Sequence, residues 1–178
     1  MSETLTPSQR KMVSIFEQHM NAELNGDLDT TMDTMTENPH LNHVPVMAGG
    51  EGREGVHQFY SRHLVGKFFP PDVKFHKISS TIGDTQIVDE MVISFTHTVS
   101  IDWLLPDIPP TGKPVEVALV AIVGFKDDKI SHEHIYWDQA SVLIQVGLLD
   151  PTGLPVNGVE SARKVLNPKL PSRIIKSY

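Results

Sequence analysis

The chain has 178 residues, of which 39% are hydrophobic and 21% are charged, and its formal net charge is −7. These values are typical of one globular domain. No apolar stretch reaches membrane-spanning length, and residues 1–11 lack the apolar segment of a secretory signal. We therefore expect a cytoplasmic protein without membrane contact. The acidic balance disfavours nucleic-acid binding, and the absence of cysteine excludes disulfides, thiolate metal sites and cysteine nucleophiles.

Helical patterns come first along the chain. Thr6-Pro7-Ser8-Gln9 has the form of a capping box with proline at the first helical position. Apolar residues then recur at helical spacing up to Gly26: Met12, Ile15, Phe16, Met20 and Leu24. A short second helix is predicted from Asp27 and a third one around residues 56–64, with the Pro- and Gly-containing stretch ENPHLNHVPVMAGGEG as a loop between them.

Beyond Pro70-Pro71 the apolar residues alternate with period two. This pattern predicts strands near residues 72–78, 86–103, 115–125 and 130–137, followed by a helix that begins near Gln139. Helices followed by strands are the order of an α+β fold with a mostly antiparallel sheet. A sheet of this kind encloses a pocket if it curls around the helices.

The stretch HEHIYWD carries the candidate chemistry. FKDDKI predicts a hairpin with Phe125 opposite Ile130. Extending that register places His132, His134, Tyr136 and Asp138 beside Val123, Ala121, Leu119 and Val117. A polar row next to an apolar row is what a ligand cavity with a few placed polar groups should contain. A register slip of one residue would turn the polar row to the other face.

Asp138 is the main candidate for acid/base chemistry. Beside Val117 and Leu119 its carboxyl would be desolvated, and desolvation moves the pKa of a carboxyl toward the range that serves proton transfer. The alternative is that Asp138 caps the helix that begins near Gln139. Both roles are compatible with the sequence.

Four other side chains have open alternatives. His132 and His134 have the spacing of a metal pair but lack a third ligand in the sequence, so hydrogen-bonded histidines without a metal are the expected state. His97, on the apolar row that contains Phe95, belongs either to a pocket or to the core, where it would donate a hydrogen bond to a backbone carbonyl. Trp103 is either a pocket wall or plain core.

The end of the chain differs in charge from the rest. Residues 148–178 hold five Lys/Arg and two Asp/Glu, a net charge of +3 against −10 for residues 1–147. The segment also contains four prolines. We therefore predict a domain over residues 1–149 and a basic extension, residues 150–178, that wraps over the body or over a partner subunit.

Several segments together resemble one family. They are NHVPVMAGGEG feeding FYSRHL, the strand FTHTVSIDW and, above all, the ending DDKISHEHIYWDQASVLIQVGLLD. Over roughly residues 8–149 the chain resembles the SnoaL-like branch of the nuclear transport factor 2-like superfamily. The resemblance implies a cone-shaped α+β fold, in which a curled, mostly antiparallel sheet packs on N-terminal helices around a buried pocket, and it implies a homodimer.

The resemblance also implies cofactor-independent proton transfer of the polyketide cyclase, isomerase or lyase type. Asp138 matches the acid/base aspartate of the cyclases, whereas their histidine on the neighbouring strand has no match, since Gly124 lies near that place. His97 or His43 would take its part. Side chains predicted to bind the ligand are Tyr136, His134, Trp103, Leu119, Val117, Phe95 and Tyr60.

Two hypotheses of different class follow. The first is an enzyme that acts on a small apolar molecule bearing a carbonyl, without cofactor or metal. The second is a binding or assembly module that uses the same cavity without chemistry. Two or more titratable groups within hydrogen-bond reach inside one pocket would favour the enzyme.

Overall fold

This computed structural model describes residues 5–64 and 69–175 of the chain. The helices are α1 (Pro7–Asn25), α2 (Leu28–Asp33), α3 (Gly52–Phe59), α4 (Gln139–Gln145) and α5 (Glu160–Leu166), and α3 continues as a π-helical turn over Tyr60–Leu64. The strands are β1 (Met35–His43), β2 (Ala48–Glu51), β3 (Lys74–Ile82), β4 (Gln86–Thr96), β5 (Pro114–Lys126) and β6 (Lys129–Trp137).

Helix α1 begins and ends where the sequence predicts. The Gln9 backbone N–H donates to Thr6 Oγ1 (3.2 Å) and the Thr6 backbone N–H donates to Gln9 Oε1 (2.9 Å), so the capping box is complete. Gly26 ends the helix in the left-handed region, with φ 73°, where glycine carries no steric cost.

All six strands form one curled sheet in the order β2-β1-β6-β5-β4-β3. Neighbours are antiparallel except β1 and β6, which are parallel. Helix α1 packs on the concave face, where it contacts β6 and β4. The predicted α+β class and cone-shaped fold are therefore confirmed.

The predicted loop ENPHLNHVPVMAGGEG is wrong, because most of it forms the β1–β2 hairpin. Its Pro and Gly residues lie at an irregular strand pairing and at a close backbone contact, two places where strands accept these residue types. The pairing of β1 with β6 is irregular between Met35 and His40, the stretch that contains Pro39. Gly50 lies so close to the backbone of Gly55 that a Cβ at this position would approach within 3.0 Å. The long predicted strand, residues 86–103, ends at Thr96.

A bulge in the β5–β6 hairpin decides which side chains face the concave side. The turn at Asp127-Asp128 has φ 51° and 58°, and Phe125 pairs with Ile130 as predicted. Beyond that pair the register shifts, so that His132 pairs with Gly124 and Glu133 pairs with Val123. The inward row of β6 is therefore Glu133, Ile135 and Trp137. The predicted inward row of His132, His134, Tyr136 and Asp138 is wrong.

Part of the C-terminal segment lies on the body of the same chain. Helix α5 packs against β5, where Arg163 forms an ion pair with Glu116 (2.7 Å). Ser141 Oγ of α4 donates to the Gly158 carbonyl (2.6 Å). Among the described residues, none of the helices combines the length and the apolar character that crossing a bilayer requires.

Candidate active site

A cavity of about 70 Å³ lies between α1 and the concave face of the sheet. Its wall is mostly apolar, with four titratable side chains, Glu23, His43, Tyr60 and Glu133. The apolar part consists of Phe16, Met20, Leu41, Phe69, Phe75, Met91, Ile93, Trp103, Leu119, Ala121 and Ile135. A greasy cavity with a few convergent polar groups is the usual form of a small-molecule site.

Three elements bring a buried polar cluster to the cavity: His19 and Glu23 from α1, Tyr60 from the turn after α3, and Glu133 from β6. We call these four residues the inner cluster. The Tyr60 hydroxyl donates to Glu133 Oε2 (2.6 Å), and His19 Nε2 lies 3.0 Å from Glu23 Oε1 and 3.4 Å from Glu133 Oε2. All four side chains are buried, with at most 4% of each residue exposed.

The hydrogen bonds of His19 indicate that its ring is charged. The Thr34 hydroxyl donates to the Thr31 carbonyl (2.6 Å), so it accepts from His19 Nδ1–H (2.6 Å). The other nitrogen, Nε2, faces two carboxyls and also needs a proton. Burial by itself would lower the pKa of His19, but the charges of Glu23 and Glu133 outweigh burial and raise it to about 10.

The pKa values of the two carboxyls of the inner cluster shift in opposite directions. Burial raises the pKa of Glu23, and the nearby His19 reverses only part of that effect. Burial acts in the same direction on Glu133, but there the charge and hydrogen bond of His19 outweigh it, so the pKa of Glu133 lies below its ordinary value. Burial also raises the pKa of Tyr60 well above its ordinary value. Two carboxyls with opposite shifts are the pattern of an acid and a base in one site.

His43 extends the polar wall of the cavity. Its Nδ1 donates to the Ala48 carbonyl (3.1 Å), which leaves Nε2 as the acceptor nitrogen. Burial lowers the pKa of His43 to about 4, so the ring is neutral at physiological pH. The ring packs between Phe59 and Trp103, with centroid distances of 5.4 and 5.2 Å. A neutral imidazole with a fixed tautomer can accept a hydrogen bond from a ligand.

Four of the residues predicted from the sequence lie on the cavity wall: His43, Tyr60, Trp103 and Leu119. Two others, Phe95 and Val117, are buried in the core and not on that wall. The roles of all six residues in ligand binding or catalysis stay predictions.

The other predicted residues of β6 and its end lie elsewhere. Tyr136 is 42% exposed, and His134 pairs with Ile122 on the convex face of the sheet. Asp138 is exposed and caps α4, accepting from the Ser141 backbone N–H (3.2 Å). The expectation that Asp138 lies desolvated beside Val117 and Leu119 is therefore wrong. The cause is the bulge in the β5–β6 hairpin, which Phe125 and Ile130 alone do not reveal.

His97 belongs to the core and not to the cavity wall. Its Nδ1 accepts from the Thr111 backbone N–H (3.3 Å) and contacts the Thr111 hydroxyl (3.1 Å). Its Nε2 is buried and has no hydrogen-bond partner among the described residues. The alternative of a core histidine held by backbone was right in location, although the backbone donates an N–H and does not accept.

Sequence reasoning missed the other three members of the inner cluster. His19 and Glu23 follow Met12 and Phe16 at helical spacing, so the sequence does contain a signal that they share the inner face of α1. Glu133 lies between His132 and His134 in the sequence, and only the observed register of β5 with β6 shows that its side chain faces inward. A polar residue on an apolar face was the usable signal in both cases.

His19, Glu23 and Glu133 also form a set that could hold a metal ion, since their ligand atoms lie within 4.8 Å of one another. The set offers one imidazole and two carboxylates. Metal binding would require His19 Nε2 to lose its proton, because that nitrogen faces both carboxyls. The hydrogen-bonded ion pair already satisfies these three groups without a metal.

The curled sheet, the helix across its concave face and the buried polar cavity define a cone-shaped α+β fold. The family model described as SnoaL-like domain matches residues 16–133, about two thirds of the chain. The chain therefore belongs to the SnoaL-like domain family. Glu133 is the last residue of the matched segment, and Asp138 lies beyond it.

Solved structures of the same fold agree. A putative SnoaL-like polyketide cyclase from Jannaschia sp. CCS1 is 16% identical, covers 84% of this chain and all of its own (100%), and superposes with a TM-score of 0.65. TsrD from Streptomyces laurentii is 19% identical, with 82% and 100% coverage and a TM-score of 0.60. AclR, a putative hydroxylase from Streptomyces galilaeus, is 17% identical, with 80% and 100% coverage and a TM-score of 0.58. None of the curated proteins matches the chain in sequence.

Proposed function

We propose that this protein is an enzyme that catalyses proton transfer, without a cofactor, on a compact apolar molecule bearing a carbonyl. The observation that carries the proposal is the convergence of Tyr60 and Glu133 (2.6 Å apart) with Glu23 on the wall of one apolar cavity. Titratable groups within hydrogen-bond reach inside one pocket are what acid/base catalysis requires.

In this proposal Glu133 is the base and Glu23 is the acid. The Glu133 carboxylate takes a proton from the carbon next to the substrate carbonyl, and the electrons of that C–H bond move to the carbonyl oxygen to give an enolate. Glu23, whose pKa burial raises, takes up a proton in the substrate complex in this proposal and donates a hydrogen bond to that oxygen. The proton now on Glu133 then goes to one of three places. It returns to the far carbon of a conjugated enolate (isomerase), it neutralises the alkoxide that forms when the enolate carbon attacks a second carbonyl (cyclase), or it protonates a β-hydroxyl that leaves as water (lyase).

His19 and Tyr60 position the base in this scheme. The charged His19 ring keeps Glu133 ionised, and the Tyr60 hydroxyl fixes the orientation of the carboxylate. The size of the cavity, about 70 Å³, limits the ligand to a compact molecule unless flexible side chains such as Met20 and Met91 move aside.

Deuterium exchange tests the assignment without knowledge of the natural substrate. Cyclopentanone and cyclohexanone are incubated with the protein in D₂O, and mass spectrometry follows deuterium uptake next to the carbonyl. Glu133→Gln should lower the rate above background by about 10²–10⁴-fold, the usual contribution of a general base. Asp138→Asn is the matched control and should retain the rate, because Asn still caps α4.

Two outcomes would contradict the proposal. Loss of exchange in Asp138→Asn together with full exchange in Glu133→Gln would assign the base to Asp138. No exchange above background by the unchanged protein, with either ketone, would refute proton abstraction from compact ketones.

The second candidate is a small-molecule-binding module of the same fold. It is favoured by the polar contacts within the inner cluster, since the Glu133 carboxylate already contacts both Tyr60 and His19. A module of this kind would bind the two ketones, detected by ligand-observed NMR, without any deuterium uptake.

We further propose a homodimer that forms through the convex face of the sheet. The support is an apolar patch on that face, where Tyr136 is 42% exposed and lies opposite Val120, next to half-buried Ile122. Light scattering should give twice the mass of one chain, and Tyr136→Lys should reduce it to the mass of one chain.

A further inference from the structure

Three histidines meet on the convex face of the sheet, away from the cavity. Because Glu133 faces inward, its neighbours His132 and His134 face outward. The parallel strand β1 pairs His40 with His132 and Asn42 with His134, which brings His40 to the same face. We call His40, His132 and His134 the outer histidine cluster.

The three imidazole rings are in contact. His40 Nε2 and His134 Nε2 lie 2.6 Å apart. The ring of His132 stacks on that of His40 with 5.2 Å between centroids, and its centroid lies 4.9 Å from that of His134. A hydrogen bond between two Nε2 atoms requires one protonated and one bare nitrogen, so at least one of the two rings is neutral.

The surroundings of the cluster leave the rings available as ligands. All three residues are half-buried. Within residues 5–64 and 69–175 no carboxylate forms an ion pair with any of them.

Gly124 makes room for the third ring. A Cβ at this position would come within 3.0 Å of three atoms of the His132 imidazole, Cε1, Nδ1 and Nε2. The ring of His132 therefore lies directly over the backbone of β5, where only glycine leaves space for it. The Ser131 hydroxyl contacts His132 Nδ1 (3.2 Å), which leaves Nε2 of that ring free to bind a ligand.

We propose that the outer histidine cluster binds a divalent transition-metal ion, with Zn²⁺ as the best match, through Nε2 of His40, His132 and His134 and a water molecule. The metal replaces the proton between His40 and His134 and moves their Nε2 atoms apart to about 3.3 Å, the separation that two Zn–N bonds of about 2.0–2.1 Å give at a tetrahedral angle. The ring nitrogens of these three described histidines do not all lie within 4.8 Å of one another in this structure, so the His132 ring turns toward the ion when the metal binds. A bound metal links β1, through His40, to β6, through His132 and His134, the two residues that flank Glu133.

Zinc titration of full-length protein without an affinity tag tests the proposal. The protein is dialysed against a chelator and then titrated with ZnCl₂ by calorimetry, and bound zinc is measured by elemental analysis. One zinc ion per chain is expected. His40→Gln and His134→Gln should each weaken zinc binding by more than tenfold, since loss of an outer-shell partner alone costs about 10–100-fold.

Gly124→Ala separates the proposed geometry from simple histidine content. It leaves all three imidazoles in the chain and displaces only the His132 ring, so it should also weaken zinc binding. His57→Gln, which removes an exposed histidine on α3, is the matched control and should bind zinc as the unchanged protein does. Circular dichroism spectra verify that each variant folds.

The inner cluster is the competing site. If Glu133→Gln abolished zinc binding while His40→Gln and His134→Gln retained it, the metal would belong to His19, Glu23 and Glu133, and the proposal would be overturned. It would also be overturned if the unchanged protein bound no zinc, or if Gly124→Ala and His57→Gln weakened binding equally. None of these outcomes depends on catalytic activity, so the metal site and the proposed function are tested independently of each other.

Discussion

Replacing both Glu23 and Glu133 by Gln removes the two carboxyls that hold a proton on the buried His19. In the unchanged protein these carboxyls raise the pKa of His19 from 6.5 to about 10. The difference corresponds to about 5 kcal/mol of preferential stabilisation of the charged ring, at about 1.36 kcal/mol per pKa unit. In the double variant only burial acts on the ring, so its pKa should fall below the ordinary value.

The two proteins should therefore respond to pH in opposite directions. A raised histidine pKa contributes stability that is fully present below 6.5 and is lost as the pH rises toward about 10. Between about pH 7 and pH 9 the His19 ring should lower the free energy of unfolding of the unchanged protein by slightly more than about 1 kcal/mol per pH unit, or about 2.5 kcal/mol in all. The double variant should lose this slope and instead lose stability as the pH falls through the ordinary histidine pKa.

Two measurements check the prediction. Urea unfolding at a series of pH values gives the slope, and NMR of ¹⁵N-labelled histidine rings, with His19→Gln used to assign the signal, gives the charge state of His19. A His19 ring that titrates near 6.5 in the unchanged protein would refute the buried ion pair. So would equal pH dependence of stability in the two proteins.

Three further outcomes are expected. Asp138→Ala should cost about 1 kcal/mol in the free energy of unfolding, measured with urea, because it removes the cap of α4, whereas Asp138→Asn should cost little. Gly50→Ala should destabilise the protein by about 1–3 kcal/mol or more, since its Cβ would overlap the backbone of Gly55; a melting temperature equal to that of the unchanged protein would contradict the packing of β2 on α3. Deuterium exchange of cyclohexanone should survive EDTA treatment, because the proposed proton transfer uses Glu133 and Glu23 directly; loss of exchange that zinc restores would assign the chemistry to a metal.

Local signals in the sequence predicted those elements that depend on neighbouring residues. The capping box of Thr6 and Gln9 and the left-handed Gly26 determine where α1 begins and ends. The turn at Asp127-Asp128 similarly sets the first pair of the β5–β6 hairpin, Phe125 with Ile130. Each of these features is stabilised by contacts within a few residues, so a short stretch contains all the necessary information.

Part of the candidate site could also be predicted from the sequence. His43, Tyr60, Trp103 and Leu119 line the cavity and were all named from the sequence, although His43 was assigned to a loop and Leu119 was chosen as the partner of Tyr136 in a register that was wrong. The β1–β2 hairpin was missed because Pro39, Gly49 and Gly50 are typical of loops. Pairing of β1 with the distant strand β6 outweighs that local preference.

The identity of the polar groups in the cavity depends on one inserted residue and on long-range packing. The bulge after Ile130 turns Glu133 inward and turns His132 and His134 outward. Periodicity alone cannot detect this shift of one residue, because the predicted and the observed register both place mostly apolar residues of β5 opposite the polar residues of β6. Glu133 then meets His19, which lies far earlier in the chain on α1. The charge states of both residues arise from this contact and from the exclusion of water, which exist only once helix and sheet have packed together.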